Sequence, residues 1–312
     1  MRVLILGGTR EARDLAAALV AEPGVDVVTS LAGRVRDPAL PAGETVIGGF
    51  GGVTGLRAFL RDRAVDAVVD ATHPFAATMS AHAVAACAGP SPAPDEAGGA
   101  HSGGAHSGGA HSGGAHSGGA YAGGAGSAVP LLRLARPGWQ ARPGDDWHRV
   151  GDLAAAADRT RELCPPGGAV FVTTGRRQLA PFAADAERHY LIRAVDPPTD
   201  TLPPRHTVLL DRGPYTVAGE TRLLREHGIR VLVTKDSGGT LTVAKLDAAR
   251  LLGVPVVMVD RPAGAGLVPP TWPDVAGILT ALRALSAGHT ADVPASRWHQ
   301  GSQGYSEPAP SA

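Results

Sequence analysis

Glycine- and hydroxyl-rich stretches carry the residues that could do chemistry in this chain. Gly7-Gly8-Thr9-Arg10-Glu11-Ala12 follows a short apolar run and opens a helical pattern, so its glycines would let backbone amides approach a phosphate at the positive end of a helix. The stretch is not the G-x-G-x-x-G fingerprint, and a Gly-Gly turn between strand and helix is also ordinary turn chemistry. The next apolar run ends in Thr29-Ser30-Leu31-Ala32-Gly33-Arg34. An NAD enzyme would place an acid here to hold ribose hydroxyls. The hydroxyl of Ser30 and the guanidinium of Arg34 suit a 2′-phosphate instead, which makes NADP(H) the expected cofactor, with a solvated loop arginine as the alternative. Gly48-Gly49-Phe50-Gly51-Gly52 is a second glycine turn, suited to close backbone approach with one stacking or packing side chain at Phe50.

Asp70-Ala71-Thr72-His73-Pro74-Phe75 ends a further apolar run. His73 reads either as a crevice residue facing Gly8 and Thr9 or as the start of a helix with Thr72 capping it. Three later loops offer amides, hydroxyls and cations after strand-like runs: Thr173-Thr174-Gly175-Arg176-Arg177, Arg212-Gly213-Pro214-Tyr215-Thr216 and Thr234-Lys235-Asp236-Ser237-Gly238-Gly239-Thr240. Together they predict an anion-binding wall.

These loops require strands to end where they begin. Apolar runs at 3–6, 25–29, 45–47, 65–70 and 131–134 alternate with helical periods at 11–21, 55–63 and 75–88. The second half repeats the scheme, with strands at 169–173, 190–195, 207–210, 229–234 and 254–259 and helices at 154–163, 178–184, 217–226, 242–252 and 274–285. This is the pattern of an α/β protein with parallel sheets covered on both faces, in two units joined near 137–149, and ligands belong at the carboxyl ends of the strands and in the cleft.

Composition narrows the partners. The chain has 312 residues, is 44% hydrophobic and carries 29 basic and 29 acidic side chains, so no whole-protein field favours nucleic acid or a membrane surface. Small ligands are the better expectation. No apolar run is long enough for a signal core or a membrane span, which predicts a cytoplasmic protein. Cys87 and Cys164 read as ordinary thiols. Only two basic residues are lysines, Lys235 and Lys245, against 27 arginines, which marks them as candidates for positions where a compact, titratable ammonium is wanted, with chance survival as the alternative, above all for Lys245 on its helix. His-Ser-Gly-Gly-Ala repeats four times in residues 101–120; the insertion at 91–127 and the tail at 287–312 have little to bury and read as disordered. Flexible spacing makes His101, His106, His111 and His116 poor metal ligands, so no metal site is expected. The Tyr-x-x-x-Lys pair of short-chain dehydrogenases is missing, since Ala194 and Gly219 stand four places after Tyr190 and Tyr215. A non-enzymatic nucleotide- or metal-binding protein is the remaining rival from the residues alone.

Taken in order and spacing over 1–88 and 129–286, these motifs resemble the precorrin-6A reductase family of cobalamin biosynthesis. The resemblance implies two Rossmann-like domains with a cleft between them: an NADPH-binding domain at 1–140 and a substrate-binding domain at 141–286. It implies NADPH-dependent reduction of one double bond of the precorrin-6A macrocycle to precorrin-6B, with the cobalt-precorrin-6A reaction of the anaerobic pathway as the alternative. By the same resemblance Gly7, Gly8, Thr9, Arg10, Ser30, Gly33, Arg34, Gly49, Phe50, Gly51 and Thr72 would hold the cofactor. Thr174, Gly175, Arg176, Arg212, Gly213, Asp236, Ser237 and Gly238 would hold the carboxylate-fringed tetrapyrrole. Lys235, His73 or a bound water would supply the proton, and the sequence does not choose among them. Other corrin-pathway enzymes are the partners it implies, with the chain a monomer or weak oligomer.

Overall fold

The computed structural model describes residues 1–33, 40–88, 128–262 and 269–288. Arg34, the 91–127 insertion and all but the first two residues of the 287–312 tail lie outside them.

The first sheet is built from β1 (Arg2–Leu6), β2 (Asp26–Leu31), β3 (Glu44–Ile47), β4 (Ala67–Asp70) and β5 (Leu131–Leu134), with α1 (Arg10–Val20), α2 (Gly52–Asp62) and α3 (Ala77–Cys87) as crossovers. The second contains β6 (Trp147–Val150), β7 (Ala169–Val172), β8 (His189–Ala194), β9 (His206–Leu210), β10 (Ile229–Lys235) and β11 (Val256–Val259), with α4 (Leu153–Leu163), α5 (Val217–Glu226) and α6 (Ala244–Leu252). The chain then returns through β12 (Thr271–Trp272) and α7 (Val275–Ser286).

Both sheets are six-stranded and parallel, in the orders β12-β5-β4-β1-β2-β3 and β6-β11-β10-β7-β8-β9. Val3, Leu4, Ile5 and Leu6 are all buried because a central parallel strand is covered on both faces. Strand order reverses between β1 and β4 in one sheet and between β7 and β10 in the other. Each reversal opens a crevice at the carboxyl ends of its strands.

Three local expectations are corrected. The helix expected at 178–184 shrinks to a 3-10 turn at Ala180–Phe182. Gln178 sits in the left-handed region, at φ 66°, outside right-handed helical backbone, so a regular helix cannot run from 178. The stretch read as a linker contains β6, an edge strand whose Trp147-His148-Arg149-Val150, with two polar residues at its centre, lacks the continuous apolar run of the central strands. Finally, the expected boundary put 141–286 in the second unit, yet β12 pairs with β5 and Ile278, Ala281 and Leu282 of α7 complete the core around α1 and β1. The last strand and helix thus close the first sheet after the second has been built.

Candidate active site

At the β1/β4 crevice the glycines divide their tasks. Gly7 donates its amide to the Ser30 carbonyl at 2.9 Å, and a Cβ there would lie 2.8 Å from Thr29 Cγ2, so this glycine serves strand packing. Gly8 has φ 109° and open space where a Cβ would be, leaving its backbone free to be approached at the start of α1. Thr9 is buried; its hydroxyl caps α1 by accepting from the Ala12 amide and donates to the Ala71 carbonyl at 2.8 Å. It ties the β1 turn to the end of β4 and has no free hydrogen left for a ligand. Arg10 lies on the exposed face of α1 beside Asp14, at 3.4 Å.

Ser30 is buried at the end of β2, and Gly33 follows with φ 64° beside exposed Ile47. Gly49 and Gly51 face open space, but Phe50 turns inward, meeting Phe59 edge to face at 5.0 Å against the Leu56 and Leu60 core. Of the two roles open to Phe50, packing is the one the fold uses. Sequence reasoning missed Gly55, where a Cβ would sit 1.6 Å from the Phe50 carbonyl oxygen; the expected helix opened at this glycine, whereas α2 begins at Gly52 and places it inside the first turns.

The loop after β4 is organised by Asp70, also missed. Its buried carboxylate accepts from the Thr72 amide at 3.1 Å, the Thr72 hydroxyl at 2.7 Å and the Ser80 hydroxyl at 2.6 Å. Thr72 therefore does not cap a helix; α3 starts at Ala77 with no side-chain cap. His73 Nδ1 accepts the Phe75 amide at 3.3 Å. Burial pushes the His73 pKa down from the usual 6.5 to about 4, helped by the cations Arg136, Lys235, Arg261 and Lys245. The ring is neutral near pH 7 and, with Nδ1 accepting, carries its hydrogen on Nε2. It can donate a hydrogen bond but is not charged.

Phe75 reaches across to pack on the second unit's core, and Lys235 Nζ lies 5.2 Å from its ring centroid. Phe75, 5.8 Å from the His73 ring and 5.2 Å from Lys235 Nζ, thus stands between the two lead candidates where the crevices face one another. Lys235 ends β10, donates to Gln178 Oε1 at 3.2 Å and has its pKa lowered by burial. In the loop that follows β7, Thr174 is buried with a hydroxyl that finds no hydrogen-bond partner among the described residues, and Gly175 has φ 91° with open space beside it. Arg176 reaches Asp196 at 3.5 Å and Arg177 is exposed.

The rest of the expected wall is redistributed. Arg212 and Gly213 follow β9, two strands from β7, or about 10 Å along the sheet. Gly213 abuts the Tyr215 ring, which Arg193 covers at 3.8 Å while holding buried Glu220 at 2.5 and 3.1 Å. Asp236 is enclosed: Oδ1 accepts the Trp139 amide at 3.0 Å and Oδ2 the Arg149 guanidinium at 2.9 Å. A Cβ on Gly238 would lie 2.2 Å from the Pro137 carbonyl, so this glycine serves packing between the units. Ser237 gives its carbonyl to Arg136 at 2.7 Å. Asp236, Ser237 and Gly238 therefore hold the Lys235 loop in place.

The dinucleotide expectation fits the first crevice on a separate ground. Glu11 in the first turn of α1 would repel a diphosphate, but Arg136 engages its carboxylate at 2.6 Å. Among the described residues no group of three or more His, Cys, Asp or Glu could hold a metal ion, and no helix is long and apolar enough to cross a membrane. Cys87 and Cys164 are buried, and burial raises the pKa of each thiol.

The profile of the family precorrin-6x reductase CbiJ/CobK matches residues 2–91 and 117–283. A precorrin-6A reductase from Rhodococcus erythropolis is 48% identical over 281 residues, covering 89% of this chain and 96% of the relative. A cobalt-precorrin-6A reductase from Priestia megaterium is 26% identical, over 83% of this chain and 90% of its own. The solved structure of CobK precorrin-6A reductase superposes with a TM-score of 0.71 at 39% identity, covering 93% of this chain and 97% of its own.

Proposed function

The chain belongs to the precorrin-6x reductase family, and from that premise we propose that it uses NADPH to reduce one double bond of metal-free precorrin-6A, giving precorrin-6B in cobalamin biosynthesis. The observation that carries the reading is the meeting of the two switch-point crevices, where the His73–Phe75 loop of one packs beside Lys235 of the other. Metal-free substrate is favoured over the cobalt form by the 48% against 26% identity to the two kinds of relative.

When bound, NADPH supplies the hydride. The Gly8 turn and the first amides of α1 would take its diphosphate, with Glu11 neutralised by Arg136. Ser30, Gly33 and Arg34 would take the 2′-phosphate end, and Gly49 and Gly51 leave room for backbone contact. On the substrate side, the Thr174 hydroxyl, the Gly175 amide and the cations Arg176, Arg177 and Arg212 would receive carboxylates.

Reduction of a carbon–carbon double bond also needs a proton on the neighbouring carbon. Lys235 fits that role: it is an ammonium made more acidic by burial, at the edge of the substrate crevice. Neutral His73 donates its Nε2 hydrogen to orient the ring system or a water and gives up no proton.

The test is turnover by the purified full chain of metal-free and cobalt-loaded precorrin-6A with NADPH or NADH, followed by cofactor absorbance and product mass. Consumption of NADPH with a product heavier by two hydrogens from metal-free substrate is expected. No consumption with either substrate refutes the reading, and faster turnover of the cobalt form replaces it with the anaerobic reaction.

A further inference from the structure

Arg136 stands just beyond β5, where the chain leaves the first sheet for the second. Its Nη1 donates to Glu11 Oε2 at 2.6 Å, beside the Gly8 turn, and its Nε donates to the Ser237 carbonyl at 2.7 Å, two residues past Lys235. The Arg136 carbonyl accepts Arg261 Nη1 at 2.8 Å, and Arg261 Nε donates to the Asp236 carbonyl at 3.0 Å. Gly239 presses so closely that a Cβ there would lie 2.9 Å from Arg136 Cδ. Trp139 braces the same loop, its amide on Asp236 at 3.0 Å and its indole on the Gly239 carbonyl at 2.8 Å. One planar guanidinium, 18% exposed, therefore spans from the first turn of α1 to the loop that carries Lys235.

We propose that Arg136 is a positioning residue that couples cofactor occupancy at the α1 end of the first sheet to the placement of the Lys235 loop in the second. The role rests on the NADPH-dependent reading above. The physical basis is competition for one cation: a diphosphate arriving at the α1 amides adds negative charge beside Glu11, and the rigid fork passes any movement of Arg136 to Ser237. Trp139, anchored on the same loop, reports that movement.

The experiment uses the full chain and the variants Glu11→Ala, Arg136→Ala and Arg136→Lys, with Trp139→Phe to identify the Trp139 part of the emission. NADP+ is the probe, because it does not absorb tryptophan emission as NADPH does; its affinity is measured by calorimetry. In Glu11→Ala the NADP+ Kd is expected to stay within about threefold of the parent or tighten, while the Trp139 response to NADP+ disappears and kcat for precorrin-6A falls about tenfold or more. Arg136→Ala loses the same response and turnover, and Arg136→Lys, which keeps the charge without the fork, does not restore them. A lower Tm with the Trp139 response and kcat intact would mean that Arg136 only stabilises the fold. In Glu11→Ala, parallel losses of NADP+ affinity and kcat would mean direct cofactor contact. Either result overturns the proposal. A parent protein that binds no NADP+ removes the proposed function first, and the coupling with it.

Discussion

Lys245 offers the sharpest test of how burial sets energetics here. It is 4% exposed, its Nζ donates to the Thr242 carbonyl at 3.1 Å, and it lies 5.1 Å from the Trp139 ring centroid. Nearby Glu220 is already paired with Arg193 at 2.5 Å, so the ammonium gains little from it. Burial first, and then the Arg193 charge, push its pKa down from the usual 10.5 to about 7. The unfolded chain therefore holds a proton between about pH 7 and 10.5 that the fold releases, and stability contributed at this site rises with pH across that window. At about 1.4 kcal/mol per tenfold in proton affinity, the cost at pH 7 is about 4 kcal/mol. Lys245→Met removes that cost while losing about 1 kcal/mol for the Thr242 hydrogen bond and about 1 kcal/mol for the contact with the Trp139 face. The net expectation is stabilisation by about 2 kcal/mol at pH 7, vanishing or reversing near about pH 10, where the cost has dropped below about 1 kcal/mol. Urea unfolding of parent and variant at the two pH values, followed by circular dichroism, measures both numbers. A difference that does not change with pH, or a Met variant less stable at pH 7, refutes the assignment of a burdened ammonium at this position.

Four further outcomes are expected. Lys235→Arg should lower kcat by about a hundredfold or more if the ammonium donates the proton, since guanidinium is a far poorer acid, and should only raise KM modestly if it serves as a charge partner; parental kinetics in both Lys235→Arg and Lys235→Ala would exclude either role. His73, neutral in the fold down to about pH 4, should withdraw about 3 kcal/mol of stability as pH falls from 6.5 to 4, because only the unfolded chain takes up the proton. His73→Asn should flatten the urea midpoint across that range, and an unchanged slope would count against it. Gly55→Ala, whose Cβ would meet the Phe50 carbonyl oxygen at 1.6 Å, should destabilise by at least about 2 kcal/mol by thermal unfolding. Arg34→Ala should weaken NADPH binding by about 1.5–3 kcal/mol while leaving NADH nearly untouched, and equal weakening of both would sink the 2′-phosphate assignment.

Much of the architecture was legible in the sequence because strands buried on both faces are continuous apolar runs, and turns that need a left-handed backbone call for glycine. Val217–Glu226 and Leu131–Leu134 form where the patterns place them, and the loops that follow β1, β4, β7 and β10 lie at the two crevices. Both lysines were marked by their rarity. Their different fates, one at the crevice edge and one enclosed beside Trp139, depend on neighbours the local spacing does not contain.

The same limit explains the other differences. Asp236 and Thr9 carry side chains suited to a ligand, yet their hydrogen bonds go to Trp139, Arg149, Ala12 and Ala71; Trp139 is 97 residues from Asp236 and Ala71 is 62 residues from Thr9. Arg136 is one arginine among 27 in the sequence, and only the fold brings it between Glu11, 125 residues away, and Ser237, 101 residues away. The return of β12 and α7 to the first sheet was hidden for a related reason: an apolar face records that it must be buried, and the partner that buries it is chosen by packing. Sequence by itself determined the residue types, the periodicities and the strand-end loops, which are local properties of the backbone. Tertiary structure alone decided which polar groups remain available for a ligand, because a hydrogen bond to a distant residue removes a side chain from chemistry without leaving a mark in the spacing around it.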